Sequence, residues 1–149
     1  MRVLACAAFL VPALALAGCG DDGSDEASWP GPPDASADGT VAVDGFAEFT
    51  AGIEEHWEGS AAMSAGEFLR LDEREASRTT IAGVASPEGA GPETVVVPLD
   101  GLLDDSVRAQ RWTLTFVPED GVYRLTEARW AQRCQPERGH QDFSPEPCI

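Results

Sequence analysis

Near the C-terminus, two thiols, an imidazole and a carboxylate fall within one short stretch: Cys134, His140, Asp142 and Cys148. Those residue types can do two different things. Two thiolates and an imidazole, with a carboxylate as fourth ligand, are a donor set for zinc. Two thiols alone can close a disulfide. The spacing fits none of the usual zinc patterns, in which ligands come in pairs two to five residues apart. Arg138 and Gln141 lie in the same stretch, so Arg138, His140, Gln141 and Asp142 make a dense run of hydrogen-bonding side chains and the candidate binding surface of the chain. Binding residues gather on loops held by a rigid scaffold.

Other chemistries are present only in outline. Asp100, Asp104 and Asp105 offer hard oxygen ligands, but they lack the alternating Asp spacing and central Gly of a calcium loop, and read as turn formers. Ser60, Ser64, His56 and His140 are the residue types of a hydrolase, yet no G-x-S-x-G elbow is present. The sequence contains no lysine. Schiff-base chemistry, a phosphate-binding loop of the Walker type and a Ser-Lys nucleophile are thereby excluded.

Where the chain acts is written at its start. Met1-Arg2 supplies a small positive region, the run from Val3 to Leu16 is apolar apart from Pro12, and Leu16-Ala17-Gly18-Cys19 follows, succeeded at once by acidic and small residues. The run is too short for a membrane span of about 20 residues. This arrangement resembles the signal peptide and lipobox of bacterial lipoproteins. The resemblance implies cleavage before Cys19, a diacylglyceryl group on its thiol, and a protein held on the extracytoplasmic face of the cell membrane. With Cys19 lipidated and Cys6 removed, Cys134 and Cys148 remain as a pair in an exported protein, and a disulfide becomes the expected state.

Composition narrows the partners. Once Arg2 leaves with the signal, nine of the ten arginines face 26 acidic residues. Such an excess repels nucleic acid, which needs a basic stripe to release counterions. No arginine occurs between Cys19 and Leu69, so negative charge is concentrated towards the anchor. The absence of lysine and asparagine beside abundant Ala, Gly, Pro and Arg fits a GC-rich, actinobacterium-like source.

The elements expected to carry these residues follow from pattern. Residues 19–42, rich in acids, Ser, Gly and Pro with Trp29 as the one large apolar side chain, read as a disordered tether of roughly 25 Å end-to-end. Asp44 followed by Phe46, Phe49, Ile53 and Trp57 predicts a helix. The capping-box pattern Ser64-Ala65-Gly66-Glu67 predicts a second, after a break at Gly59-Ser60. Strands are expected over 79–85, 94–99, 107–117 and 122–134, the last two joined by a Pro118-Glu119-Asp120-Gly121 turn. A parity change between Leu125 and Ala128 calls for a β-bulge near Glu127.

The resulting expectation is one α+β domain over 43–149: two N-terminal helices packed on a curved antiparallel sheet of about four strands. That element order resembles the cystatin-like or nuclear-transport-factor-like group. The segment from Arg133 to Cys148 resembles the C-terminal signature of an uncharacterised group of actinobacterial exported proteins, as do Phe68-Leu69-Arg70-Leu71-Asp72 and the stretch from Leu102 to Arg108. No activity comes with that resemblance. The functional expectation is therefore a lipid-anchored envelope domain, with no cofactor, that binds an envelope protein or a small ligand. The rival is a small pocket enzyme of cystatin-like architecture, for which His56, Asp72 and Glu127 are the available titratable groups.

Overall fold

The longest hairpin is built from the clearest sequence signals. In strand β5 (Val107–Glu119), Trp112, Leu114 and Phe116 alternate with polar residues and are buried; strand β6 (Val122–Cys134) returns antiparallel beside it. Asp120 and Gly121 form the two-residue connection, both with positive φ (51° and 88°). That is the backbone a tight hairpin turn demands, and an Asp-Gly pair supplies it at little steric cost. The parity change on β6 is absorbed where Thr115 faces Glu127 but Phe116 faces Leu125, leaving Thr126 as the extra residue.

The structure, a computed structural model, describes residues 28–53, 55–84 and 91–149. The signal peptide, Cys19 and the first part of the expected tether lie outside the described residues. Among those described, no helix is long and apolar enough to cross a membrane.

Strand β4 (Glu93–Leu102) continues the sheet on the far side of β5, with Val95 opposite Leu114 and Val97 opposite Trp112. Its other edge is shared by β2 (Ala76–Thr79) and β3 (Ala82–Val84), and β1 (Thr40–Val41) pairs with β6. The sheet thus has six antiparallel strands in the order β1-β6-β5-β4-β2, with β3 also on β4. Helices α1 (Asp44–Thr50) and α2 (Ala61–Leu69) contribute Phe46, Ala61, Ala65, Phe68 and Leu69 to the core formed with the sheet, and a 3-10 turn over His56–Gly59 packs Trp57 against it.

This corrects the expected fold class. Among the described residues the chain is mostly sheet, with six strands rather than about four, two short α-helices, and a strand rather than a helix as the first element. The cystatin-like and nuclear-transport-factor-like readings are set aside. The physical reasons are local. Phe46, Phe49, Ile53 and Trp57 have helical spacing, but Gly52 adopts φ 92° and ends the helix, leaving Trp57 to a separate 3-10 turn. The second helix begins four residues earlier than the capping-box pattern suggested, because Ser60 rather than Ser64 is its N-cap, accepting from the Met63 amide at 3.4 Å. Ser64 lies inside that helix, buried, and donates to the Trp57 carbonyl at 3.2 Å.

The tether reading of residues 28–42 also gives way. Trp29 is 6 % exposed and belongs to the core, its ring 5.2 Å from Phe46, 5.9 Å from Phe49 and 6.0 Å from Phe68. Its indole N–H donates to the Phe68 carbonyl at 2.8 Å, and Arg70 donates to its own carbonyl. From Trp29 the chain runs over the domain as a strap and ends in β1, where the Trp130 amide donates to the Gly39 carbonyl at 2.8 Å. Gly39 has φ 83°, and a Cβ there would sit 2.5 Å from the Trp130 carbonyl oxygen. Only glycine fits, so the strap's register on β6 is set by one residue.

Candidate functional site

At the C-terminal end the two cysteines are bonded, Cys134 to Cys148, with Cα atoms 5.5 Å apart. The Cys134 and Cys148 sulfurs and one ring nitrogen of His140 lie within 4.8 Å of one another, but the sulfurs are joined to each other. The zinc donor set is consumed by the bridge. His140 Nδ1 lies 2.8 Å from the Asp142 carbonyl oxygen, and Nε2 lies 2.9 Å from that of Glu146. Gln141 donates to the carbonyls of Gly139 and Gln135 at 3.1 and 3.2 Å. The tail is further tied to β6 by a bridge between Gln132 and Ser144, and Gln132 donates to the Glu146 carbonyl at 2.7 Å. Of the four residues expected to form a contact surface, His140 and Gln141 therefore hold the tail's own backbone together. Arg138 and Asp142 have exposed side chains without a hydrogen-bond or ion-pair partner among the described residues.

The His140 geometry carries a pH dependence. A carbonyl only accepts, so both ring nitrogens must carry protons for both bonds to form, and that is the imidazolium. The bonds to Glu146 and Asp142 raise its pKa, helped by the carboxylates of the same two residues and opposed by burial. A pKa raised in the folded state gives stabilisation that is complete below the unfolded value of about 6.5 and is lost as pH climbs through the folded pKa. We expect amides of residues 141–149 to exchange faster, relative to the sheet, as pH rises through that value once the intrinsic base dependence is removed. Hydrogen exchange with an imidazole titration by NMR reads it directly; a His140 pKa at or below that of a free histidine would contradict the double acceptor.

The groups considered for catalysis do not converge. The His56 side chain is 83 % exposed and lies 4.0 Å from the Glu55 carboxylate; Asp72 is exposed beside Arg70, and Glu127 pairs with Arg129 at 2.8 Å on the sheet. Ser60 and Ser64 are occupied at the ends and side of α2, as described. Of the aspartates considered for calcium, Asp104 accepts from the Ser106 and Val107 amides at 2.8 and 2.7 Å, which lowers its pKa and closes a turn. Asp100 bonds Arg78 at 2.7 Å and lies 3.5 Å from Arg133; the Arg78 bond, and then nearby arginine charges, hold its carboxyl below its ordinary value.

A different place, an open cleft, holds unspent chemistry. Trp112 on β5 and Trp130 on β6 are directly opposite in the antiparallel register and lie on the face covered by the strap. Together with Gln110, Arg74 and strap residues 32–35 they line a cleft of about 320 Å³. Arg74 sits in the short connection between α2 and β2. Its Nε–H donates to the Leu69 carbonyl at 2.6 Å, satisfying one of the acceptors a helix leaves open at its C-terminus. Its guanidinium carbon lies 5.3 Å from the centre of the Trp112 ring, within the range of a cation–π contact. Its two terminal nitrogens make no hydrogen bond or ion pair among the described residues, and burial lowers its pKa. Trp112 is 5 % exposed, and its buried indole nitrogen also has no partner. Unsatisfied buried donors are uncommon and call for an explanation.

Sequence reasoning passed over this cleft. In the sequence Arg74 lies in the charged run Asp72-Glu73-Arg74-Glu75, Trp112 and Trp130 fall within segments that read as strands, and residues 32–35 have the composition of a tether. The one sequence signal was Trp29, a lone large aromatic in a stretch otherwise unable to form a core. No protein-family model matches the chain, and neither do curated proteins or solved structures.

Proposed function

We propose that this protein is a lipid-anchored component of the cell envelope whose domain works by binding, and that the cleft over Trp112 and Trp130 is its seat for a small ligand. The observation that carries the reading is Arg74: a half-buried cation with its terminal donors unspent, set between an aromatic floor and a proline-containing wall. Pockets for small ligands pair apolar walls with polar groups that fix orientation, and here the tryptophans and prolines stand beside Arg74, Gln110 and Asp34 in a lining of mixed polarity. Anchorage is supported by the lipobox ending at Cys19 and by the apolar run before it. The partners implied are membrane lipid through Cys19 and a soluble ligand or envelope component at the cleft; the acidic excess argues against nucleic acid.

Two measurements test the two halves. Metabolic labelling with an alkynyl fatty acid is expected to mark the wild type and to miss Cys19→Ala, which should remain an uncleaved precursor. Equal labelling of both would refute the anchor. A fragment screen followed by NMR is expected to yield compounds that shift the Trp112 and Trp130 indole signals in a saturable way. A broad fragment set that moves neither would remove the cleft from consideration and return attention to Arg138 and Asp142 on the tail.

A further inference from the structure

We infer that the cleft is built for a ring-bearing organic carboxylate, held by the terminal nitrogens of Arg74 with its ring against Trp130; this rests on the cleft being a ligand seat. The first argument is charge. Three of the described arginines are half-buried: Arg70, Arg74 and Arg133. Arg70 has Asp72 and Glu73 beside it, and Arg133 has Asp100 within 3.5 Å. Arg74 has no carboxylate within 4.0 Å among the described residues, in a chain with 26 acidic residues and ten basic ones. A partly desolvated cation without an anion is costly, and it is the group a ligand anion would satisfy.

Geometry narrows the anion. With Nε committed to Leu69, the guanidinium presents the edge formed by its two terminal nitrogens, a planar fork that a carboxylate matches with two parallel bonds. A phosphate dianion fits less well. The cleft offers one cation and no second, and Asp34 on the opposite wall adds negative charge, so a monoanion is favoured.

The lining argues for the ring. Trp130 is partly exposed and gives a flat apolar platform, while Pro32 and Pro33 face it from the strap. A volume of about 320 Å³ lies at the small end of ligand pockets and suits a single substituted ring rather than an extended chain. Gln110 and Asp34 remain for hydroxyl groups on that ring.

The test compares two probes on the mature lipidated protein in detergent: 4-hydroxybenzoate, and 4-hydroxybenzyl alcohol, which has the same ring and no charge. Calorimetry and NMR are expected to show saturable binding of 4-hydroxybenzoate that moves the Arg74 Nε–H and Trp130 indole signals, with the alcohol at least ten-fold weaker. Arg74→Met should erase that difference, and Arg74→Lys should retain part of it. If Arg74→Met fails to fold, the discrimination between the two probes by the wild type still decides the matter. Equal affinity for both probes, or carboxylate binding unchanged in a folded Arg74→Met, overturns the carboxylate assignment while leaving the cleft as a ligand seat. Absence of any binding by 4-hydroxybenzoate also overturns it, whereas the cleft reading itself falls only with the broad fragment screen.

Discussion

Trp29→Ala is expected to cost about 3–5 kcal/mol of folding stability, the range for removing a large buried aromatic. The ring packs against Phe46, Phe49 and Phe68, and its loss opens a void among side chains that are themselves fixed by α1 and α2. The indole N–H also satisfies the Phe68 carbonyl in the last turn of α2, where helical carbonyls have no partner of their own. Trp29→Phe separates the two contributions: it keeps most of the packing and gives up the hydrogen bond, for a loss of about 1–2 kcal/mol. Urea unfolding measures the free energy, and limited proteolysis reads the strap, which in Trp29→Ala should be cut near residues 30–37 before the sheet is. A Trp29→Ala protein with an unchanged unfolding midpoint would restore the tether reading. Because residues 32–35 form one wall of the cleft, the same variant should lose ligand binding even under conditions where it remains folded.

Opening the Cys134–Cys148 bridge has the second largest expected effect on stability. The bond closes a loop of about 15 residues, worth on the order of 3 kcal/mol through the entropy of the unfolded chain. The loss should be spatially uneven. Cys134 ends β6, but the main core lies between the sheet and the helices and contains no residue of the tail. What the tail adds is local: the Gln132 to Ser144 bridge, a bond from the Ile149 amide to the Arg138 carbonyl at 2.8 Å, and Phe143 beneath the guanidinium groups of Arg111 and Arg133 at 4.5 and 5.1 Å. Cys148→Ser is therefore expected to lower the melting temperature, to release amides beyond residue 135 to fast exchange, and to leave the β4, β5 and β6 amides protected. Intact mass with and without reductant confirms the bond. Collapse of protection in the central strands on reduction would show that the tail is part of the folding unit.

The contrast between what pattern predicted and what the chain does follows from the range of the interactions. The β5–β6 hairpin was legible because every element of it is local: Trp112, Leu114 and Phe116 alternate, and Asp120-Gly121 carries the turn chemistry on its own. The strap was not, because the composition of 28–42 is that of a disordered segment and its order depends on Trp29 meeting Phe46 and Phe68, which lie far along the sequence. Helical periodicity linked Phe46 to Trp57 across Gly52, and spacing carries no information about a left-handed backbone. At the tail, the density of polar side chains on 138–142 was visible, but the partners of His140 and Gln141 are backbone carbonyls, and no side-chain pattern advertises those. Arg74 could not be singled out either, since what distinguishes it is the carboxylate it lacks.

The strap has a mechanical consequence as well. With the proposed anchor at Cys19, the first described residue locked into the core is Trp29, ten residues on, a span that no chain can stretch beyond about 34 Å. Such an anchor would keep the domain closer to the bilayer than a tether running to residue 42 would. A pull along that leash arrives first at Trp29 and then at residues 32–35, so the wall of the cleft bears the load before any strand of the sheet does. Tension peels the strap and opens the cleft, whereas a ligand clamped between strap and sheet resists the peeling. On the proposed reading, attachment to the membrane and occupancy of the site would share one segment of chain, and each would set the force the other must withstand.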